Sequence, residues 1–313
     1  MTAVWFAALA LLLAGPGPAL LARARWTWQV PRAALVLWQA IALGAVLATL
    51  GAGLASLSLL FTEEPGFPFL ERHGPVQTTL IGLTSTFVAV VTVRFWVVAT
   101  LVGIRTRRRR NRHRDMVDLL HRKESTSEVD AALLAETGVR VLTGPGRVAY
   151  CVPGVHSRVV VSDAMLASLT PEEVRAVLAH ERAHLRARHD LVLEGFTALH
   201  AAFPRVVSSQ AALDSVRLLV EMLADDSARR RAGSLPLARA LVALAGQPDC
   251  TSGEGAEMPV GSAALARVRR LAARPARRGL SLATYVAAVL VLGGPTLAVA
   301  VPWLQASYRA LVR

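Results

Sequence analysis

Two histidines four residues apart, with a glutamate directly after the first, stand at His180-Glu181-Arg182-Ala183-His184. Here residue type and spacing converge on one chemistry. On an α-helix His180 and His184 lie one turn apart on the same face, so two neutral imidazoles can share one Zn2+ ion. Glu181 is rotated by about 100° from His180. That places its carboxylate beside the position a catalytic zinc leaves open, as general base for a water and not as a ligand. The reaction this arrangement suits is zinc-dependent peptide hydrolysis.

The element that must carry these residues is itself legible. Thr170-Pro171-Glu172-Glu173 offers a capping hydroxyl, a proline at the first helical position and a glutamate three residues after the cap. This is a capping box, ahead of the apolar positions Val174, Val177 and Leu178. Upstream, Val139–Leu142, Arg147–Val152 and Arg158–Val161 are short β-rich runs separated by Gly144-Pro145-Gly146 and Pro153-Gly154, which predicts a small antiparallel sheet with hairpin turns. An edge of such a sheet beside the zinc helix either holds an extended peptide by added-strand hydrogen bonds or is structural only. Ser162 caps a short helix over Asp163–Ser168, and Arg114–Ala135 reads as helix broken by Glu124-Ser125-Thr126-Ser127. After Asp190 an apolar helix runs to Pro204. A further helix around Ala211–Arg230 carries Glu221 and Asp225 four apart. That pair reads as a zinc ligand with a partner for a ligating histidine, or as an exposed acidic face.

The rest of the chain is apolar. Of 313 residues 53% are hydrophobic, and the mean hydropathy is +0.43, which points to a membrane protein with one modest soluble domain. Met1–Ala22, Ala33–Phe61, Gly74–Val93 and Gly279–Tyr308 carry no Asp, Glu, Lys or Arg, and each is long enough to cross a hydrocarbon core. The first lacks a basic n-region and is interrupted by Gly15-Pro16-Gly17-Pro18, so it reads as a retained helix and not a cleaved signal. Arg23, Arg25 and Arg32 between spans one and two, against Glu63, Glu64 and Glu71 between spans two and three, put the first loop inside and the second outside. Arginines at 105–114 and 267–278 then hold both ends of the long segment inside, leaving the N- and C-termini outside. Arg94, within the third apolar stretch, either snorkels to the inner interface, the arrangement its position favours, or faces a bundle interior.

The net charge of +13 is mostly juxtamembrane. The arginine run at 105–114 has no interleaved aromatics, so it reads as an anchor for anionic membrane lipids, and no direct nucleic-acid binding is expected. Lys123 is the sole lysine, which together with alanine richness suggests a GC-rich bacterial genome. Cys151 and Cys250 fall in the inner segment and imply reduced thiols, not a disulfide framework. Residues 247–261, rich in Gly, Ser and Pro, read as a mobile loop.

Taken together, the four spans with a long loop after the third, Val159-Val160-Val161-Ser162, Leu178–Leu185, the acidic helix at Glu221 and Arg267-Val268-Arg269-Arg270 before the last span resemble the BlaR/MecR-type membrane zinc metallopeptidases. The resemblance implies a multi-span α-helical membrane protein with a cytoplasmic α+β zinc peptidase domain of gluzincin type. The organisation is then 1–104 with spans at about 3–22, 33–61 and 76–104, the peptidase domain at 105–279, and the last span with a short tail at 280–313. His180, His184 and Glu221 match the family's zinc ligands, one ion per chain, and Glu181 its catalytic base, with Asp225 behind a ligating histidine. The implied activity is endoproteolysis in signal transduction at the bacterial cell membrane, with a protein substrate such as a cytoplasmic transcriptional repressor. Antibiotic-sensing members carry a penicillin-binding domain after the last span, whereas this sequence ends at Arg313, so the resemblance does not support antibiotic sensing. The chain is also similar to heat-shock-type and prenyl-protein-processing membrane zinc peptidases. Asp190 and Glu194 are the other acids within reach of the motif; the first needs a glycine turn where Ala187 stands, and the second a Gly or Pro bend that the sequence lacks. Retention of Glu181 favours an active enzyme over a silent scaffold.

Overall fold

The computed structural model describes residues 2–61, 69–120, 138–154, 157–204, 209–244, 260–273 and 278–311. In chain order these form α1 (Thr2–Ala14), α2 (Pro16–Arg23), a 3-10 turn at Arg25–Gln29, α3 (Pro31–Phe61), α4 (Phe69–Leu120), β1 (Val139–Leu142), β2 (Ala149–Val152), β3 (Arg158–Ser162), α5 (Asp163–Ser168), α6 (Pro171–Ala187), α7 (His189–Ala202), α8 (Ser209–Ala232), α9 (Ser234–Leu244), α10 (Val260–Ala272) and α11 (Arg278–Leu311). Most of the expected loop at 247–261 and the helix after Leu120 lie outside the described residues. The chain divides into two compact units.

The first unit comprises residues 1–100, 198–212 and 277–313. Four helical stretches are long and apolar enough to cross a membrane by length and composition: Val4–Arg23, Pro31–Ser56, Gly74–Leu120 and Arg278–Ala298. Within this unit α3 is the helix against which α1 and α11 pack. Small residues allow the close approach that apolar helices need when hydrocarbon offers no hydrophobic drive between them. A methyl group added at Gly53 would stand 2.6 Å from Val88 Cγ1 of α4, and one at Gly51 would meet the Phe6 ring. Outward, Leu80, Leu83, Phe87, Val90 and Val93 of α4 stay exposed, the surface expected where lipid is the solvent. Arg94 Nε donates to the Ala202 carbonyl at 2.8 Å, satisfying one of the orphan acceptors at the end of α7.

The second unit comprises residues 101–197 and 213–276. Its sheet departs from the expected antiparallel meander: the order is β1-β3-β2, with β1 parallel to β3 and only β2 antiparallel to it. The physical reason is β3. Val159, Val160 and Val161 are all buried, which requires cover on both faces and therefore a central position. Val159 and Val161 join Val139 and Val141 under Met165, Val174, Val177 and Leu178. Val160 faces the other way, onto Val117 and Val152. Arg140 and Arg158 both donate to Asp118, tying the outer face to the end of α4. Gly144-Pro145-Gly146 therefore links the two edge strands and is not a hairpin turn.

The local signals for α5 and α6 hold. Ser162 Oγ accepts from the Met165 N–H. Thr170 Oγ1 accepts from the Glu173 N–H at 3.4 Å while Glu173 Oε2 accepts from the Thr170 N–H at 2.9 Å, the reciprocal pair of a capping box. Thr170→Ala should cost about 1 kcal/mol, with most of it restored by Thr170→Ser. Chemical unfolding of the detergent-solubilised protein measures this, and equal losses in the two variants would mean that the hydroxyl is not the stabilising group.

Candidate metal centre

Helix α6 turns Val174, Val177 and Leu178 into the core and, on the same buried side, brings His180 and His184 one turn apart. Facing them is Glu221 of α8. The three side chains form a triangle in which His180 Nε2 lies 3.2 Å from His184 Nε2 and 3.3 Å from Glu221 Oε2, and His184 Nε2 lies 3.4 Å from Glu221 Oε1, the carboxylate turning one oxygen to each ring. Ligand atoms about 2.05 Å from one tetrahedral ion lie about 3.3 Å apart, which is the spacing of each of these close pairs, and three ligating side chains would leave a fourth position free. Glu221 retains 37% of its side-chain surface, so solvent reaches the triangle from its side.

Behind the triangle Asp225 is 1% exposed, one turn along α8 from Glu221. Its Oδ1 is 3.0 Å from the fully buried His180 Nδ1, although the angle falls short of a well-aligned hydrogen bond. Both Asp225 oxygens accept from Arg267 of α10, Oδ2 from Nε at 2.8 Å and Oδ1 from Nη2 at 2.7 Å, and Arg267 Nη1 lies 3.1 Å from Glu221 Oε2. One turn further Arg270 forks onto Asp226 at 2.9 and 2.7 Å. Two bidentate pairs thus fasten α10 along the acidic helix.

These charges set the protonation states. Burial opposes ionisation of Asp225 and Glu221, but Arg267 first, with His180 and for Glu221 also His184, outweighs it and holds both carboxyls below their usual range. Burial lowers His184 to about 4, so it is neutral as a ligand must be. Burial also disfavours the His180 cation, yet Asp225 and Glu221 outweigh it and raise His180 to about 10. A cation bound at this triangle must displace that proton. Between about pH 7 and pH 10 zinc affinity should therefore rise about tenfold per pH unit. The metal-free fold changes in the opposite sense, losing the stabilisation from protonated His180 as pH climbs from 6.5 towards 10. Competition with a chromophoric chelator at about pH 7, 8 and 9 checks the slope; a flat profile would assign the proton elsewhere.

Glu181 stands on the next face of α6, half-buried, and burial raises its carboxyl to about 7, the range suited to taking and returning a proton near neutrality. Burial first, and then the charge of the Glu181 carboxylate, push the thiol of Cys151 on β2 up and keep it unreactive. Asp190 and Glu194 sit away from the triangle, paired with Arg110 of α4 at 3.0 and 3.4 Å. The bend for which neither glycine nor proline was available does exist: α6 ends at Arg188, which takes left-handed angles of φ 49° and ψ 44°. Three neighbours escaped the sequence reading. Arg267 and Arg270 counted only as membrane-edge charge, although their spacing of three on a helix opposite adjacent aspartates was a usable signal. His189 follows the bend, and burial lowers its pKa.

Residues 105–240 match the family model of peptidase family M48. No curated protein and no solved structure matches the chain. The match indicates metallopeptidase activity, typically zinc-dependent, over the stretch that contains the two histidines, Glu181, Glu221 and Asp225.

Proposed function

We propose that the protein is a membrane-anchored zinc endopeptidase in which His180, His184 and Glu221 hold one ion and Glu181 is the general base. The observation that carries this reading is the convergence of these three side chains, with ring nitrogens and carboxylate oxygens approaching one another pairwise at 3.2–3.4 Å. When bound there, zinc supplies Lewis acidity towards a scissile carbonyl and acidifies water. The chain's own residues do the rest. Glu181 takes a proton from the attacking water and returns it to the leaving amine nitrogen. Asp225 orients His180 and supports its basicity, while Arg267 keeps buried Asp225 and the neighbouring Glu221 ionised. Strand β2, an edge strand packed beside α6, offers main-chain groups to an extended peptide.

In this reading the four apolar helices cross the bacterial cell membrane with the peptidase domain in the cytoplasm, both termini outside, and the arginines of 105–114 on anionic lipid. The substrate is a cytoplasmic or membrane-proximal protein. A transcriptional repressor fits the BlaR/MecR-like signalling role; a broad set of damaged membrane proteins fits a heat-shock-type quality-control role. Glu181 argues against a silent scaffold, which has no use for a base. New protein N-termini compared between cells carrying the wild type and cells carrying Glu181→Gln distinguish these: one dominant cleavage indicates signalling, many indicate quality control, and none would sink the enzyme reading.

A further inference from the structure

His189 has no part in the site as argued so far, yet it is only 5% exposed and its ring meets His184 edge-on, with centroids 5.0 Å apart and planes at 88°. The two Nδ1 atoms are 3.2 Å apart. The approach depends on Arg188, whose left-handed conformation reverses the chain between α6 and α7 and is costly for a residue with a side chain. The Arg188 N–H bonds back to the carbonyls of His184 and Leu185, closing α6 so that the next residue folds over its last turn.

Chemistry then fixes the direction of the contact. His184 turns Nε2 into the ligand triangle, where a metal ligand needs a free lone pair, so its ring proton must sit on Nδ1. That N–H points at His189 Nδ1. We infer that His189 is a positioning residue for His184: with its own proton on Nε2, it accepts the His184 Nδ1–H through Nδ1 and so fixes the tautomer and orientation of the ligand ring. The inference rests on the zinc-site reading. The two ligating histidines would then be supported differently, His180 by a carboxylate that adds basicity and His184 by an imidazole that adds orientation without a further negative charge.

The test uses the full-length protein in detergent, with zinc affinity from chelator competition and the visible spectrum of the Co2+-substituted protein as a report on ligand geometry. His189→Leu should weaken zinc roughly 10–100-fold and alter the Co2+ spectrum. His189→Asn, whose side-chain oxygen sits near the place of Nδ1, should recover most of the affinity and the wild-type spectrum, whereas His189→Gln, whose oxygen sits near the place of Nε2, should not. The Asn and Gln pair decides the matter even if the leucine variant does not fold. Wild-type affinity in His189→Leu, or equal weakening in Asn and Gln, would overturn the inference alone. A wild-type protein that takes up no zinc would overturn the metal reading and this inference with it.

Discussion

Glu181→Gln should leave zinc in place and reduce peptide hydrolysis about 100-fold or more. The substitution keeps the length and shape of a half-buried side chain and removes only the capacity to take a proton. The carboxyl is well suited to that task, since burial raises it to about 7, so that it accepts a proton readily yet is ionised in a large fraction of molecules at neutral pH. Because Glu181 lies outside the ligand triangle of His180, His184 and Glu221, its loss should not open the coordination. Zinc content and turnover of a mapped cleavage peptide, measured on the same preparation, separate the two effects. A variant with full zinc and wild-type turnover would remove Glu181 from the mechanism, and one without zinc would make it a structural or ligating group.

The second large effect belongs to Glu221→Ala, which should abolish stoichiometric zinc, while Asp190→Ala and Glu194→Ala retain it. Removing one of three protein ligands leaves two histidines, too few for a tightly held catalytic ion. The fold should tolerate the change, because Arg267 keeps both hydrogen bonds to Asp225 when Glu221 is gone. Asp190 and Glu194 are engaged elsewhere, by Arg110 at 3.0 and 3.4 Å, and their loss should appear as a modest drop in stability and not in metal content. Metal analysis of the purified variants decides it; one tight zinc per chain in Glu221→Ala would refute the ligand set.

What could be read in advance was local. The capping box at Thr170 and Glu173, the helical spacing of His180 and His184, and the charge-free apolar stretches each depend on residues within a few turns of one another, where periodicity and hydrogen-bond chemistry leave little choice. Glu221 and Asp225, four apart, belong to the same class. The features that escaped depend on tertiary contacts. Helix ends are signalled by glycine or proline, and here an arginine takes the left-handed turn, held by bonds to the carbonyls of His184 and Leu185. Hairpin turns suggested that neighbours in sequence pair in space. The three consecutive valines of β3, apolar towards both faces, instead demanded the centre of the sheet and sent β1 to its far side. Arg267 and Arg270 resembled membrane-edge charge by composition, and only the approach of α10 to α8 shows that they pair with buried Asp225 and partly exposed Asp226.

That approach has a consequence for biosynthesis. Arg267 follows Asp225 by 42 residues. While the ribosome makes that interval, the His180-Glu181 motif and the acidic helix already exist, but the buried carboxylate lacks its principal counter-charge, and an uncompensated buried charge costs several kcal/mol. The ligand helices should not lock together in that state. At about 5–20 residues per second the delay is roughly two to eight seconds. On the proposed reading, the metal centre should therefore assemble only once Arg267, in the segment leading into α11, has been translated.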